Sequence, residues 1–255
     1  MKKKILLTII SLALWGLGDF AFAQKTEGVV SYNRTVYWIK ILNRMTYLTQ
    51  EEKDRDRLTW GKFEDNELNP PEKLTLFFNA NQSLYSADKD DENSDGGYAW
   101  RKSTMLYQRD FEKETQTDME DILGKTYLLQ DSLHAPNWRI MNEIKDINGY
   151  ICMKAETTNS VKEQKIVAWF AQDIPVSAGP EQFHGLPGLI LEIDINNGEC
   201  IIEAKKIEFK DVSKDLILPK LKGKKLTENE RNQIIKKHIF EQMQAHRWPY
   251  SGFRF

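Results

Sequence analysis

Gly185-Leu186-Pro187-Gly188-Leu189-Ile190 runs directly into Leu191-Glu192-Ile193-Asp194-Ile195, and this junction decides how the chain is read. Leu186 precedes a proline, which drives it to extended geometry. Pro187-Gly188 has the form of a type II turn pair, with φ fixed at the first corner and positive φ available at the second. Apolar residues on both sides of so tight a turn require burial on both sides. The turn therefore marks the start of a strand that enters a core.

Working outward, Glu199 to Phe209 returns across Asn196-Asn197-Gly198, a hairpin loop. Upstream, Lys165 to Ala171 reads as a strand broken by Ile174-Pro175. Trp138 to Ile144 and Tyr150 to Thr157 are joined through Asn148-Gly149, the strongest short hairpin signal in the chain. Gly28 to Trp38 alternates, with Val30, Tyr32, Val36 and Trp38 on one face. Lys73 to Phe78 and Ser83 to Ser86 flank Asn79-Ala80-Asn81-Gln82, and further strands are expected at Ser103 to Phe111 and Lys125 to Gln130. Thr49-Gln50-Glu51-Glu52 has the form of a capping box ahead of a short charged helix, or a loop, running towards Trp60. Thr227-Glu228-Asn229-Glu230 is a second capping box, opening a helix to about Ala245 with Ile235, Ile239 and Met243 on one face. About nine closely spaced strands favour an antiparallel sheet over βαβ units. The fold expected is mainly β (α+β): a strongly curved antiparallel sheet or incomplete barrel with a packed C-terminal helix, in a single domain over residues 24–255.

The first residues have a different character. Lys2-Lys3-Lys4, the apolar run Ile5 to Leu17, and Ala21-Phe22-Ala23 have the layout of an export signal over residues 1–23, cleaved before Gln24. The apolar run is too short to span a bilayer comfortably, and no second one follows. A soluble, exported chain without a transmembrane segment is expected, in the periplasm. A net charge of −2 without a basic stripe argues against a nucleic-acid binder. Cys152 and Cys200 fall in strands that a simple meander keeps apart, and they read as buried free thiols rather than a disulfide.

Trp138-Arg139-Ile140, Gly149 to Ala155, Ala168-Trp169-Phe170, Ile174-Pro175, Gly179-Pro180 and Gly185 to Ile190 together resemble the GLPGLI family, with the match ordered over residues 138–209. Leu74 to Phe78 and Ser83-Leu84-Tyr85 resemble it more loosely. The family consists of envelope proteins of Gram-negative bacteria, so the resemblance implies that compartment. It carries over no catalytic residue.

Chemistry-bearing motifs are sparse. His134, His184, His238 and His246 form no His-x-x-x-His pair and no His-Glu-x-x-His motif, so no zinc site is expected. Neither a Gly-x-Ser-x-Gly elbow nor a phosphate loop occurs, and no cofactor is expected. Asp91 to Gly96 fits the first half of a calcium loop, but Lys102 stands where the bidentate acid belongs. It reads as a solvated hairpin tip. Gly185 to Ile190 read as a structural motif, because the prolines lack the N–H groups of an anion nest. His184, immediately before the turn, is a candidate ligand contact or a surface loop histidine capping a carbonyl. Trp138 and Trp169 are further candidate ligand contacts, since an aromatic inner wall suits a hydrophobic, peptide or glycan ligand. Glu192, Asp194, Glu203 and Glu208 alternate on adjacent strands, as the wet face of a sheet or as an acid pair. Two functional classes follow. One is a non-catalytic periplasmic binding or accessory protein, serving an outer-membrane transport or assembly system or carrying a hydrophobic ligand. The other is a periplasmic hydrolase using paired carboxylates.

Overall fold

A computed structural model of the chain describes residues 26–61, 70–87 and 105–255. The leader and its cleavage point before Gln24 lie outside the described residues, as do the acidic stretch Asp88 to Gly97 and Lys102.

Among the described residues twelve strands form one sheet. In chain order they are β1 (Gly28–Val36), β2 (Glu72–Phe78), β3 (Gln82–Ala87), β4 (Met105–Asp110), β5 (Thr115–Ile122), β6 (Lys125–Ser132), β7 (Arg139–Ile147), β8 (Tyr150–Asn159), β9 (Gln164–Ala171), β10 (Leu189–Ile195), β11 (Cys200–Glu208) and β12 (Lys224–Leu226). Three helices join them: α1 (Trp38–Arg44), α2 (Gln50–Trp60) and α3 (Glu228–Gln244). The spatial order is β12-β6-β5-β4-β3-β2-β1-β11-β10-β9-β8-β7. Two antiparallel meanders are thus joined where β1 pairs with β11, and only the short β12 runs parallel to its neighbour β6. The sheet is mainly β as expected and is not closed into a barrel, with β7 and β12 as its edges.

Local chemistry explains the turns. Asn148 and Gly149, at φ 54° and 78°, supply the two left-handed corners that a type I′ hairpin between β7 and β8 needs. Asn79 Oδ1 accepts from the N–H groups of Asn81 and Gln82, each at 2.9 Å, and closes the β2–β3 hairpin. Both capping boxes are formed: Thr49 and Glu52 exchange hydrogen bonds at the start of α2, and Thr227 and Glu230 at the start of α3.

Two expectations are corrected. The opening strand stops at Val36, and Trp38 begins α1, whose Ile41 and Leu42 are fully buried. An additional strand, β5, lies between the two expected at Ser103 to Phe111 and Lys125 to Gln130. Arg34 shares the buried face of β1 with Val30, Tyr32 and Val36.

Register defines the two faces of the sheet. Tyr32 lies opposite Leu74 and Ala204, Arg34 opposite Glu72 and Ile202, Tyr85 opposite Leu76 and Tyr107, and Asp118 opposite Tyr107 and Leu129. These residues form the inner face. Loop 172–188, helix α3 and the chain's last residues cover it: Ile235 of α3 packs on Ile122, Tyr127 and Leu129, and Phe255 joins the main core. The segment after β11 crosses the opposite face, where Val212 and Leu216 pack on Leu84 and Leu106. Cys152 and Cys200 are buried free thiols on β8 and β11, with β9 and β10 between them.

Candidate functional site

The glycine-rich turn differs from the one expected. Gly188 donates its N–H to the Leu186 carbonyl at 2.8 Å, a bond that spans three residues. This is an inverse γ-turn centred on Pro187, whose ring already fixes a compatible φ. Ile174-Pro175-Val176 repeats the device, with Val176 donating to Ile174 at 2.7 Å. The two turns are laced together: Leu189 donates to Ile174 at 2.9 Å, Ile190 to Ala178 at 3.0 Å and Gly185 to Ser177 at 3.1 Å. Tyr32 donates its hydroxyl to the Ile190 carbonyl at 2.5 Å, which ties the pair to β1.

Gly188 has φ +159°, close to extended rather than at a type II corner, and glycine is required there for space. A Cβ would stand 2.3 Å from the Ala171 carbonyl oxygen. The left-handed residue is Gly185 at φ +90°, where a Cβ would also stand 2.4 Å from that of Ala135. Leu186, Leu189 and Ile190 are buried.

His184 is not a surface loop residue. Its side chain is only 2% exposed. Burial, helped by the Arg109 charge, pushes the imidazole down to about 3, against a hydrogen bond to the His134 backbone. His184 is therefore neutral, and Nε2 has no hydrogen-bond partner among the described residues. Trp138 donates its indole N–H to the His184 carbonyl at 2.8 Å, so these two candidate contacts meet. Trp169 is not with them. It pairs across the sheet with Glu192 and Lys154 on the outer face, where Lys145 lies 5.0 Å above its ring.

The carboxylates singled out from sequence are individually occupied. Glu192 accepts from Lys145 at 2.6 Å, and Asp194 caps the Gly198 N–H at 2.5 Å. Glu203 and Glu208 are paired with Lys205 and Lys206.

The inner face instead gathers charges that no sequence motif announced. Arg254 donates Nε to Glu181 at 2.5 Å and both terminal nitrogens to Glu72, at 2.9 and 3.0 Å. Arg34 lies 3.0 Å from Glu181 and 3.6 Å from Glu72. The side chains of Arg34, Glu181 and Arg254 are buried. Burial alone would raise the Glu181 carboxyl, but Arg254 and Arg34 outweigh it and hold the group below the ordinary carboxylate range. Next along the face, Arg109 pairs with the buried Asp118, and Arg231 lies 3.3 Å from Glu120. Lys162 donates to the Arg254 carbonyl at 2.7 Å, and burial pushes its ammonium down to about 8, against Glu120 and Glu181. Beside it lies a small recess lined by Glu120, Asn159, Lys162, Gln182, Arg231 and Asn232. Among the described residues no three His, Cys, Asp or Glu groups are placed to hold a metal ion.

A family described as "Protein of unknown function (Porph_ging)" matches residues 156–192, from β8 through the γ-turn pair into β10. No curated protein matches the chain. Two solved structures of PNGF-II share its fold. One, in space group C2, aligns over 82% of this chain at 13% identity and a TM-score of 0.51. The other, in space group P21, aligns over 82% at 15% identity and the same TM-score. The chain spans about a third of the length of those proteins, 32% and 33%. At such identity the likeness shows the fold alone. Among the described residues no helix is long and apolar enough to cross a membrane.

Proposed function

We propose that this chain is a non-catalytic binding or accessory protein that works through the inner face of its sheet. The observation that carries this reading is the state of the acids there. Glu72, Glu181, Asp118 and Glu120 are each held by an arginine. A general acid must keep a proton at working pH. Glu181, which two arginines contact, is held in the opposite sense by Arg254 and Arg34. Such a set clamps and orients better than it transfers protons.

The resemblance of the residue 138–209 stretch to the GLPGLI family, and the leader layout of residues 1–23, support export to the periplasm and a single domain over 24–255. In that setting the partner is an outer-membrane transport or assembly component, and the ligand is hydrophobic, peptide or glycan. Trp138 and His184 supply an aromatic wall and a neutral acceptor at one end of the face. Native mass spectrometry of protein purified from its own envelope tests the reading, and a retained mass is the expected result. Reproducibly bare protein that turns over a glycan or ester substrate would overturn it.

A second reading, a hydrolase with paired carboxylates, has one observation in its favour: Glu72 and Glu181 converge on a single guanidinium. Activity abolished by Glu181→Gln in a folded protein would select it.

A further inference from the structure

We infer that Glu72 and Glu181 form a slot for an arginine side chain in an aromatic-flanked peptide, and that residues 253–255 fill this slot as a ligand supplied in cis. The inference deepens the binding reading and rests on it. Three features distinguish the slot from an ordinary ion pair. The first is charge: two glutamates pair directly with two guanidiniums, so without Arg254 they keep Arg34 alone as a direct ion-pair partner among the described residues. The second is shape. Glu72 takes two parallel N–H groups and Glu181 a third, a fork that a planar guanidinium matches and an ammonium does not. Glu181 holds its place with a left-handed backbone, φ 53°, and non-glycine residues adopt that conformation only when their surroundings impose it.

The third feature is that the backbone of residues 254–255 is received as a peptide ligand is. Lys162 caps the Arg254 carbonyl at 2.7 Å, and Arg34 donates to the Phe255 carbonyl at 3.2 Å. The flanking rings are received too. Lys162 lies 5.6 Å over Phe253, and Phe255 packs edge-on against Tyr250 at 4.9 Å. Tyr85, lining the same face, is 1% exposed, and its hydroxyl has no hydrogen-bond partner among the described residues. The filling segment is attached through exposed residues at Ala245 to Arg247 and at Ser251-Gly252, and His246 and Gly252 carry left-handed φ of 51° and 80°. The recess lined by Lys162 and Gln182 adjoins the slot, since Gln182 follows Glu181 in the chain and Lys162 caps Arg254.

The test uses a chain ending at Gly252 and the labelled synthetic peptide Tyr-Ser-Gly-Phe-Arg-Phe, followed by fluorescence anisotropy. The shortened chain is expected to bind the peptide saturably. The intact chain should bind at least about tenfold more weakly, because its own segment competes in cis. Lysine in place of the peptide's arginine, or Glu181→Gln in the shortened chain, should remove binding. A shortened chain that keeps its β-sheet circular dichroism but ignores the peptide overturns the inference, as does equal binding of the lysine peptide. If the shortened chain does not fold, the full-length Arg254→Ala variant decides. Its melting temperature should rise with methylguanidinium and not with methylammonium, and identical responses to both would sink the proposal. Failure in either arm leaves the mass of a retained envelope ligand as the separate measure of the broader binding reading.

Discussion

Arg254 reaches Glu181 across 73 positions of sequence and donates Nε at 2.5 Å, which draws the last residues of the chain onto the inner face of the sheet. Both side chains are buried. Removing one partner leaves the other with one opposite charge in place of two, because Arg254 keeps Glu72 and Glu181 keeps Arg34. Glu181→Ala is expected to destabilise the protein in urea unfolding by less than the about 3–5 kcal/mol of a fully uncompensated buried charge, and Arg254→Ala by a similar amount. Partial restoration of Glu181→Ala by Arg254→Leu in the double variant would show that part of the lost stability is the excess buried cation.

The same pair predicts an acid limb. Arg254 and Arg34 hold Glu181 below its ordinary value of 4.5, so its contribution is complete above that value. It is lost as pH falls from there through the lower folded value, because the unfolded chain then takes up the proton first. Unfolding free energies measured from pH 5 to 3 should fall less steeply for Glu181→Gln than for the parent chain.

His184 predicts a limb at higher pH. It titrates near 6.5 when unfolded and is pushed to about 3 when folded. Stability should therefore be full above pH 6.5 and decline as pH drops towards 3, by up to about 1.36 kcal/mol per pH unit for one proton. The imidazole resonances of His184 should show no titration between pH 8 and 5. His184→Ala should lower the melting temperature, since the side chain is buried.

The two glycines of the turn should fail for different reasons. Gly188→Ala places a methyl group 2.3 Å from the Ala171 carbonyl and forces β9 and β10 apart, at roughly 1–3 kcal/mol. Gly185→Ala combines a left-handed backbone with the Ala135 side chain 2.4 Å away, and the left-handed penalty alone is about 1–2 kcal/mol. Truncating Ala135→Gly should relieve Gly185→Ala in part and leave Gly188→Ala unchanged. Thermal melts of the four variants decide it.

Leu189→Ala removes a fully buried side chain beside the same turn and should lose about 2–5 kcal/mol. Thr227→Ala, which opens the capping box of α3, should lose only about 1 kcal/mol. Chemical denaturation should separate the two clearly.

The sheet was legible wherever hydrophobic alternation and turn chemistry coincide. Asn148-Gly149 and the run Leu189 to Ile195 show both, and both strand pairs stand where expected. Strand β5 shows neither. Its inward residues Gln116, Asp118 and Glu120 are polar, and they are buried because Arg109 and Arg231 arrive from other elements. Its turn to β6 places Leu123, not Asn, at φ 52°, a position supported by a hydrogen bond from Leu123 to the Gly252 carbonyl at 2.5 Å. A tertiary contact has replaced the local signal. The charged slot was illegible for a related reason. Arg34 sits in plain alternation with Val30, Tyr32 and Val36, but its partners lie at Glu72, Glu181 and Phe255, and no local spacing links them. The Leu186-Pro187-Gly188 bend was placed correctly and mistyped, because Pro-Gly suits two turn types and only the hydrogen bond from Gly188 to Leu186 distinguishes them.

Because β1 is flanked by β2 on one side and β11 on the other, the earliest of the described strands waits for its second partner until β11 is made. Its partner for one edge is complete at Phe78, while Val36 waits for Cys200 on the other. While the chain lengthens from its N-terminus, β1 to β6 can assemble as a half-sheet whose seam still offers unpaired backbone groups. Such an open margin recruits neighbouring strands. Closing it late, over a long loop, is slow. Nascent chains interrupted before residue 200 should therefore be stickier than those released after Glu208. The vulnerable interval in the life of this protein is thus set by a single seam at the centre of the sheet, rather than by either of its outer strands.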